Sequence, residues 1–170
     1  AEKIIAALNY ASVQGKKYVV LDDFQFMAGF KMIKDAKLTG YGKFTEIAQK
    51  FLEVNDAIKE LPDDITVFVL SHIEDDGKGG VKAKTAGKMV DNVIGFEALY
   101  TTVIMAEVDH SRPLDKMRYY FSTQNNGQNT VGSPDGMFSS ETIPNDLEFV
   151  LQCMDAYDND EDAPNIPINM

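Results

Sequence analysis

Cysteine occurs once in these 170 residues and histidine twice. The single thiol, Cys153, excludes an internal disulfide and fits a reducing, cytoplasmic setting. His72 and His110 lie far apart, so the spaced Cys and His ligands of a zinc site are missing. No run approaches the roughly 18 apolar residues of a membrane span and no secretory signal opens the chain, so no membrane partner is expected. Basic residues are the minority charge, 16 Lys and Arg against 27 Asp and Glu, for a net charge of −11. A chain that grips a polyphosphate backbone by itself carries a basic field, so free-standing nucleic-acid binding is disfavoured. Two motifs are also absent: the serine elbow G-x-S-x-G, and the phosphate loop G-x-x-x-x-G-K-[ST]. "GYGK" at 40–43 and "AGK" at 86–88 contain Gly-Lys, but Phe44 and Met89 stand where Ser or Thr is required.

What is present is a hydrophobic content of 44%, enough for one core. Part of the acid excess falls in "DAYDNDEDAPNIPINM", where Pro164 and Pro167 add to a solvated character. The folded unit is expected over 1–157 and an acidic flexible tail over 158–170. Ile4, Ile5, Leu8 and Ala11 recur at helical spacing over 2–13, with Gly15 as the stop. A strand is expected at 17–22, and 24–37 is open between a short helix and irregular chain. Phe44, Ile47, Phe51, Val54, Ile58 and Leu61 mark the clearest helix, over 44–61, ended by Pro62. "ITVFVLSHI" at 65–73 is apolar on both faces, as in a central parallel strand. "EDDGKGGVKAKTAGK" at 74–88 reads as a mobile loop, followed by a short helix at about 88–95. Residues 101–109 and 116–124 read as a hairpin, and 145–157 as a final helix. Two buried strands separated by a long helix imply a βαβ crossover, hence an α/β sandwich.

In a parallel sheet, ligands gather at the carboxyl ends of the strands. Asp22 and Asp23 end the first strand and Ser71 and His72 end the second, so two acids, a hydroxyl and an imidazole converge if the strands are neighbours. A carboxylate there suits magnesium, which takes few protein ligands, and a second acid could orient or deprotonate a water. Aspartates at strand ends also cap the following turn, so "VVLDD" alone leaves both readings open. Gln25 reads as a nucleotide sensor or as a helix-surface residue. Lys78, Lys82, Lys84 and Lys88 read as a solvated loop or as one that reaches a phosphate or a nucleic-acid strand.

"YVVLDDFQFM" resembles a Walker B strand, and "FVLSHIEDD" the core strand after it. "TAGKMVDNVIGFEALYTTVIMAEV" and "RYYFSTQNNGQNTVGSPDGMF" resemble the strands and loop that close such a core. Together these segments, from 16 to about 150, resemble part of a phage-type P-loop ATPase of the RecA-like/AAA group, ATP-binding proteins that act in DNA recombination or replication. The resemblance implies a RecA-like three-layer sandwich, with a mostly parallel sheet and an antiparallel C-terminal hairpin. It implies ATP and Mg2+ as cofactors, with Asp22 holding the metal and Asp23 polarising the attacking water. Ser71 and His72 would lie near the γ-phosphate, with Gln25 and Lys88 against the nucleotide. A homo-oligomer is implied, with single-stranded DNA or a DNA-binding protein as partner. The chain departs from the family in lacking Walker A, and in having Thr130-Val131-Gly132-Ser133 where a basic residue often reaches a neighbouring site. The resemblance therefore implies a strand-loop-helix ahead of residue 2 in a longer ATPase, with this chain alone inactive. Two alternatives remain open: a catalytically silent interaction module docking a basic partner, and a small metal-dependent hydrolase using Asp22, Asp23 and His72.

Overall fold

Helix α1 spans Glu2–Val13 and buries Leu8 completely. Its end is a Schellman motif. Gly15 adopts the left-handed φ of 65°, the Lys16 N–H donates to Ala11 O, and the Gly15 N–H to Ser12 O. The computed structural model describes residues 1–34, 42–85, 95–114 and 117–167. After α1 come β1 (Tyr18–Leu21), α2 (Phe26–Lys34), α3 (Gly42–Lys59) and β2 (Thr66–Val69). Next are β3 (Ile73–Asp75), β4 (Val81–Ala83), a 3-10 turn at Phe96–Leu99, and β5 (Met105–Val108). β6 (Tyr119–Ser122), β7 (Thr142–Pro144) and α4 (Leu147–Asp158) complete the described elements. The sequence-predicted helix at 88–95 falls almost wholly outside the described residues.

The chain divides into two compact units, Ala1–Glu74 with Lys82–Leu99, and Asp75–Val81 with Tyr100–Met170. In the first, β1 and β2 pair in parallel, Tyr18 opposite Thr66 through Leu21 opposite Val69. The α2–α3 segment is the crossover a parallel pair needs. Ile47, Phe51 and Val54 of α3 are buried at intervals of three and four. The Phe51 ring meets Phe24 edge-on at 5.0 Å and Phe96 edge-on at 5.7 Å, while Phe24 stacks on Phe96 at 5.7 Å. Asn55, buried on the same helix, donates from Nδ2 to Phe51 O at 3.0 Å, so its amide is satisfied.

The second unit is built on an antiparallel sheet ordered β5-β6-β7, with Met105 opposite Ser122 and Phe121 opposite Ile143. Ile143, Phe149, Val150 and Cys153 form its buried centre. The Asp146 carboxylate caps α4 by accepting from the Glu148 N–H at 2.9 Å. Burial of Cys153 pushes its thiol up.

The RecA-like three-layer sandwich with a mostly parallel sheet is not what forms. Among the described residues only β1 and β2 are parallel, and the remaining strands make separate two- and three-stranded sheets. Connection length explains part of this: β2 to β3 and β3 to β4 are joined by chain too short for the crossover of about a dozen residues or more that a parallel partner requires. β7 follows a longer connection and still pairs antiparallel with β6. The 65–73 run is not one strand: β2 covers only Thr66–Val69, Leu70 lies exposed, and Ile73, also exposed, begins β3. Nor is 74–85 a structureless loop. It turns back at Gly77 (φ 77°) and Gly79 (φ 94°), with Asp76 N–H donating to Gly80 O and Lys84 N–H to His72 O. Among the described residues no helix is long and apolar enough to cross a membrane.

The Asp76 carboxylate holds this turn, accepting backbone N–H bonds from Lys78 at 2.6 Å and Gly80 at 2.9 Å. Those bonds keep it below the ordinary aspartate range. A depressed folded-state value means that the stabilisation is complete above the unfolded value of about 3.9 and is lost as pH falls through the folded one. Asp76→Asn is therefore expected to flatten the acid limb of stability below about pH 4, read by thermal unfolding across that range. Equal acid losses in the variant and the parent would contradict it.

Candidate functional site

The carboxyl ends of β1 and β2 are joined by a backbone bond, Phe24 N–H to Leu70 O at 3.0 Å. Phe24 enters the ring cluster of the core, and the chain around it turns at Asp23, whose φ is 51°. A left-handed non-glycine residue costs about 1 kcal/mol, least for Asn and Asp, whose short side chains bond locally. Asp23 does this: its Oδ1 accepts from Gln25 Nε2 at 3.0 Å and lies 3.1 Å from His72 Nε2. Gln25 closes the triangle, its Oε1 accepting the His72 backbone N–H at 3.3 Å.

Gln25 is therefore neither free nor on a helix surface; it is buried at 5% exposure and fixes both partners. His72 and Asp23 are more open, with side chains 64% and 45% exposed. Water screens their attraction, which becomes an ion pair when the imidazole carries its second proton. The His72 ring also meets Phe26 edge-on, with centroids 6.0 Å apart.

Asp22, one residue earlier, is exposed, and its carboxylate has no partner among the described residues. Ser71 reaches the same strand end, but its Oγ donates to Lys84 O at 3.1 Å, which ties the start of the β3–β4 hairpin to its close. Lys88 lies outside the described residues. Of the other loop lysines, Lys82 faces Glu74 at 3.5 Å and Lys84 is exposed. The strand ends thus bring together Asp23, Gln25 and His72, with Asp22 free beside them. Among the described residues no group of three or more His, Cys, Asp or Glu could hold a metal ion by itself.

Sequence reasoning missed a second polar cluster, on the β5–β6 ladder of the other unit. Glu107 accepts from Tyr120 OH at 3.3 Å and from Ser122 Oγ. Burial, then the Glu107 carboxylate, pushes the Tyr120 phenol up. The strand alternation could have flagged it, since an acid and a hydroxyl on facing strands stand opposite each other only in one register. No family model, curated protein or solved structure matches this chain.

Proposed function

We propose that the carboxyl ends of β1 and β2 bind magnesium-ATP, with Asp22 taking the hydrated ion beside the hydrogen-bonded Asp23–His72 pair. The turn at Asp23 carries this reading. It commits one carboxylate to Gln25 and His72 and leaves its neighbour, Asp22, free in solvent. Magnesium keeps several waters and takes one or two carboxylates plus substrate phosphates, so a lone free aspartate suits it and a three-ligand cage is not required. When bound, the ion neutralises phosphate charge. Asp23 orients the imidazole through Nε2, and Gln25 holds the Asp23 carboxylate through Nε2 and the His72 backbone N–H through Oε1.

ATP as the ligand, a setting in phage DNA recombination or replication, and a single-stranded DNA or DNA-binding protein partner rest on the likeness of the four segments between 16 and about 150 to a P-loop ATPase core. The cytoplasmic location rests on the lone Cys153 and on that setting. A chain without G-x-x-x-x-G-K-[ST] lacks the amide nest and lysine that hold phosphates tightly. The proposal is therefore of binding and not of turnover.

Titration calorimetry with magnesium and with magnesium-ATP tests it. Saturable binding is expected, weakened about tenfold or more in Asp22→Asn and about tenfold in Asp23→Asn, which frees His72. No saturation by the parent, or an unchanged Asp22→Asn, overturns it. The silent interaction module would then stand, favoured by the exposed stripe of Phe26, Phe30 and Ile33 on α2 of an acidic chain.

A further inference from the structure

β1 enters through Lys16 and Lys17 and leaves through Asp22 and Asp23: "KKYVVLDD". Basic, apolar, acidic: an antiparallel copy of this segment meets opposite charge at both ends. β1 uses one edge for β2, with Thr66 N–H donating to Lys17 O at 2.8 Å and Leu70 N–H to Leu21 O at 2.9 Å. Odd-numbered residues thus face β2. By strand alternation the N–H and C=O of Tyr18 and Val20 point to the other edge, where no strand pairs among the described residues. The side chains beside that edge are also uncovered, Tyr18 61% exposed and Val20 51%. An open edge of apolar residues is a template for pairing with another chain.

We propose that β1 pairs antiparallel with β1 of a second copy about a two-fold axis at Val19, joining two β1–β2 pairs into one continuous sheet. Only outward-pointing residues can exchange ladder bonds, so Tyr18 stands opposite Val20 of the other copy. The same register, carried outward, sets Lys16 opposite Asp22. Both are exposed and have no side-chain partner among the described residues, whereas Lys17 is paired with Asp64 and Asp23 with His72. The register that satisfies the ladder therefore joins the two free charges. Centring the axis on Tyr18 or Val20 instead sets Lys16 opposite Val20 or Asp22 opposite Tyr18 and matches no charge. Opposite charges directly across a ladder stabilise it and like charges oppose it, which selects the Val19 register. Asp22 is shared with the proposed magnesium site, whereas Lys16, Tyr18 and Val20 lie outside it, so Lys16→Glu and Val20→Pro read the pairing without altering that site and either reading can fail without the other.

Sedimentation equilibrium of the full chain, with its charge-swapped variants, tests the pairing. The parent is expected to reach twice the chain mass with rising concentration. Lys16→Glu and Asp22→Lys, each folded by circular dichroism, are each expected to weaken association about tenfold or more. An equal mixture of the two should restore it, because every mixed pair again joins opposite charges. Should either variant fail to fold, Val20→Pro gives the same reading, since it removes an outward N–H that β2 does not use. A parent that stays monomeric overturns the proposal. So does association that survives each single swap, or a mixture that fails to recover.

Discussion

Truncating Phe51 to alanine is expected to remove about 3–5 kcal/mol of stability, a large part of the roughly 5–15 kcal/mol that holds a domain folded. Phe51 is 3% exposed and touches both other rings of the cluster, so its loss opens a cavity between Phe24 and Phe96. Those two rings belong to segments of different origin. Phe24 closes the turn after β1, and Phe96 begins the 3-10 turn. A relaxing cluster also frees Phe24, on whose flanks Asp23 and Gln25 stand, so the Asp23–His72 geometry should loosen with it. Guanidinium unfolding followed by circular dichroism reads the stability. Phe51→Leu, which keeps most of the volume, should cost less than Phe51→Ala. A loss below about 1 kcal/mol in Phe51→Ala, the range of surface changes, would mean that the ring cluster does not organise this unit.

How much of this was legible differs between helices and strands. α1, α3 and α4 announce themselves because apolar residues at intervals of three and four report one buried face, and Leu8, Ile47, Phe51 and Val54 are indeed buried. The parallel β1–β2 pair was legible for the same local reason, a strand, a long helix and a strand in succession. What surrounds that pair was not. A continuous apolar run such as 65–73 signals a central strand, yet all of β2 is only half-buried and β1 alternates between exposed and half-buried. Likeness of short segments to a RecA-type core carries strand pattern and not strand partner, and partners are set by distant residues. Gly77 and Gly79 read as looseness in sequence, while in the fold their left-handed backbones make a hairpin tip. At the site, the approach of Asp23 to His72 followed from parallel strand ends. The part played by Gln25 did not, because it depends on the left-handed turn at Asp23. Nor did the use of the Ser71 hydroxyl, which depends on where Lys84 returns.

The hairpin tip gives the second large effect, at a glycine whose backbone is ordinary. A Cβ on Gly80 would sit 2.7 Å from Gln128 O and 3.0 Å from Asp76 Oδ2. The carboxylate could swing aside only by loosening the bonds it takes from Lys78 and Gly80. The carbonyl is worse placed to move, since Gln128 O accepts the Val81 N–H at 2.8 Å from the very next residue. Gly80→Ala must therefore either separate 75–81 from the 125–129 segment or leave that bond unmade, within a single unit of the fold. Overpacking of this kind costs about 1–3 kcal/mol, with about 1 kcal/mol more for the broken bond. Gly29, in the interior of α2 with nothing within 4 Å of its Cβ position, is the control. There, alanine should add roughly 0.5–1 kcal/mol by restricting the unfolded chain. Unfolding midpoints that move in opposite directions for the two substitutions are the expected result. If Gly80→Ala were as stable as the parent, the close approach of Gly80 to Gln128 O would have to give way at no cost, and the 75–81 segment would not be held to its unit through that carbonyl.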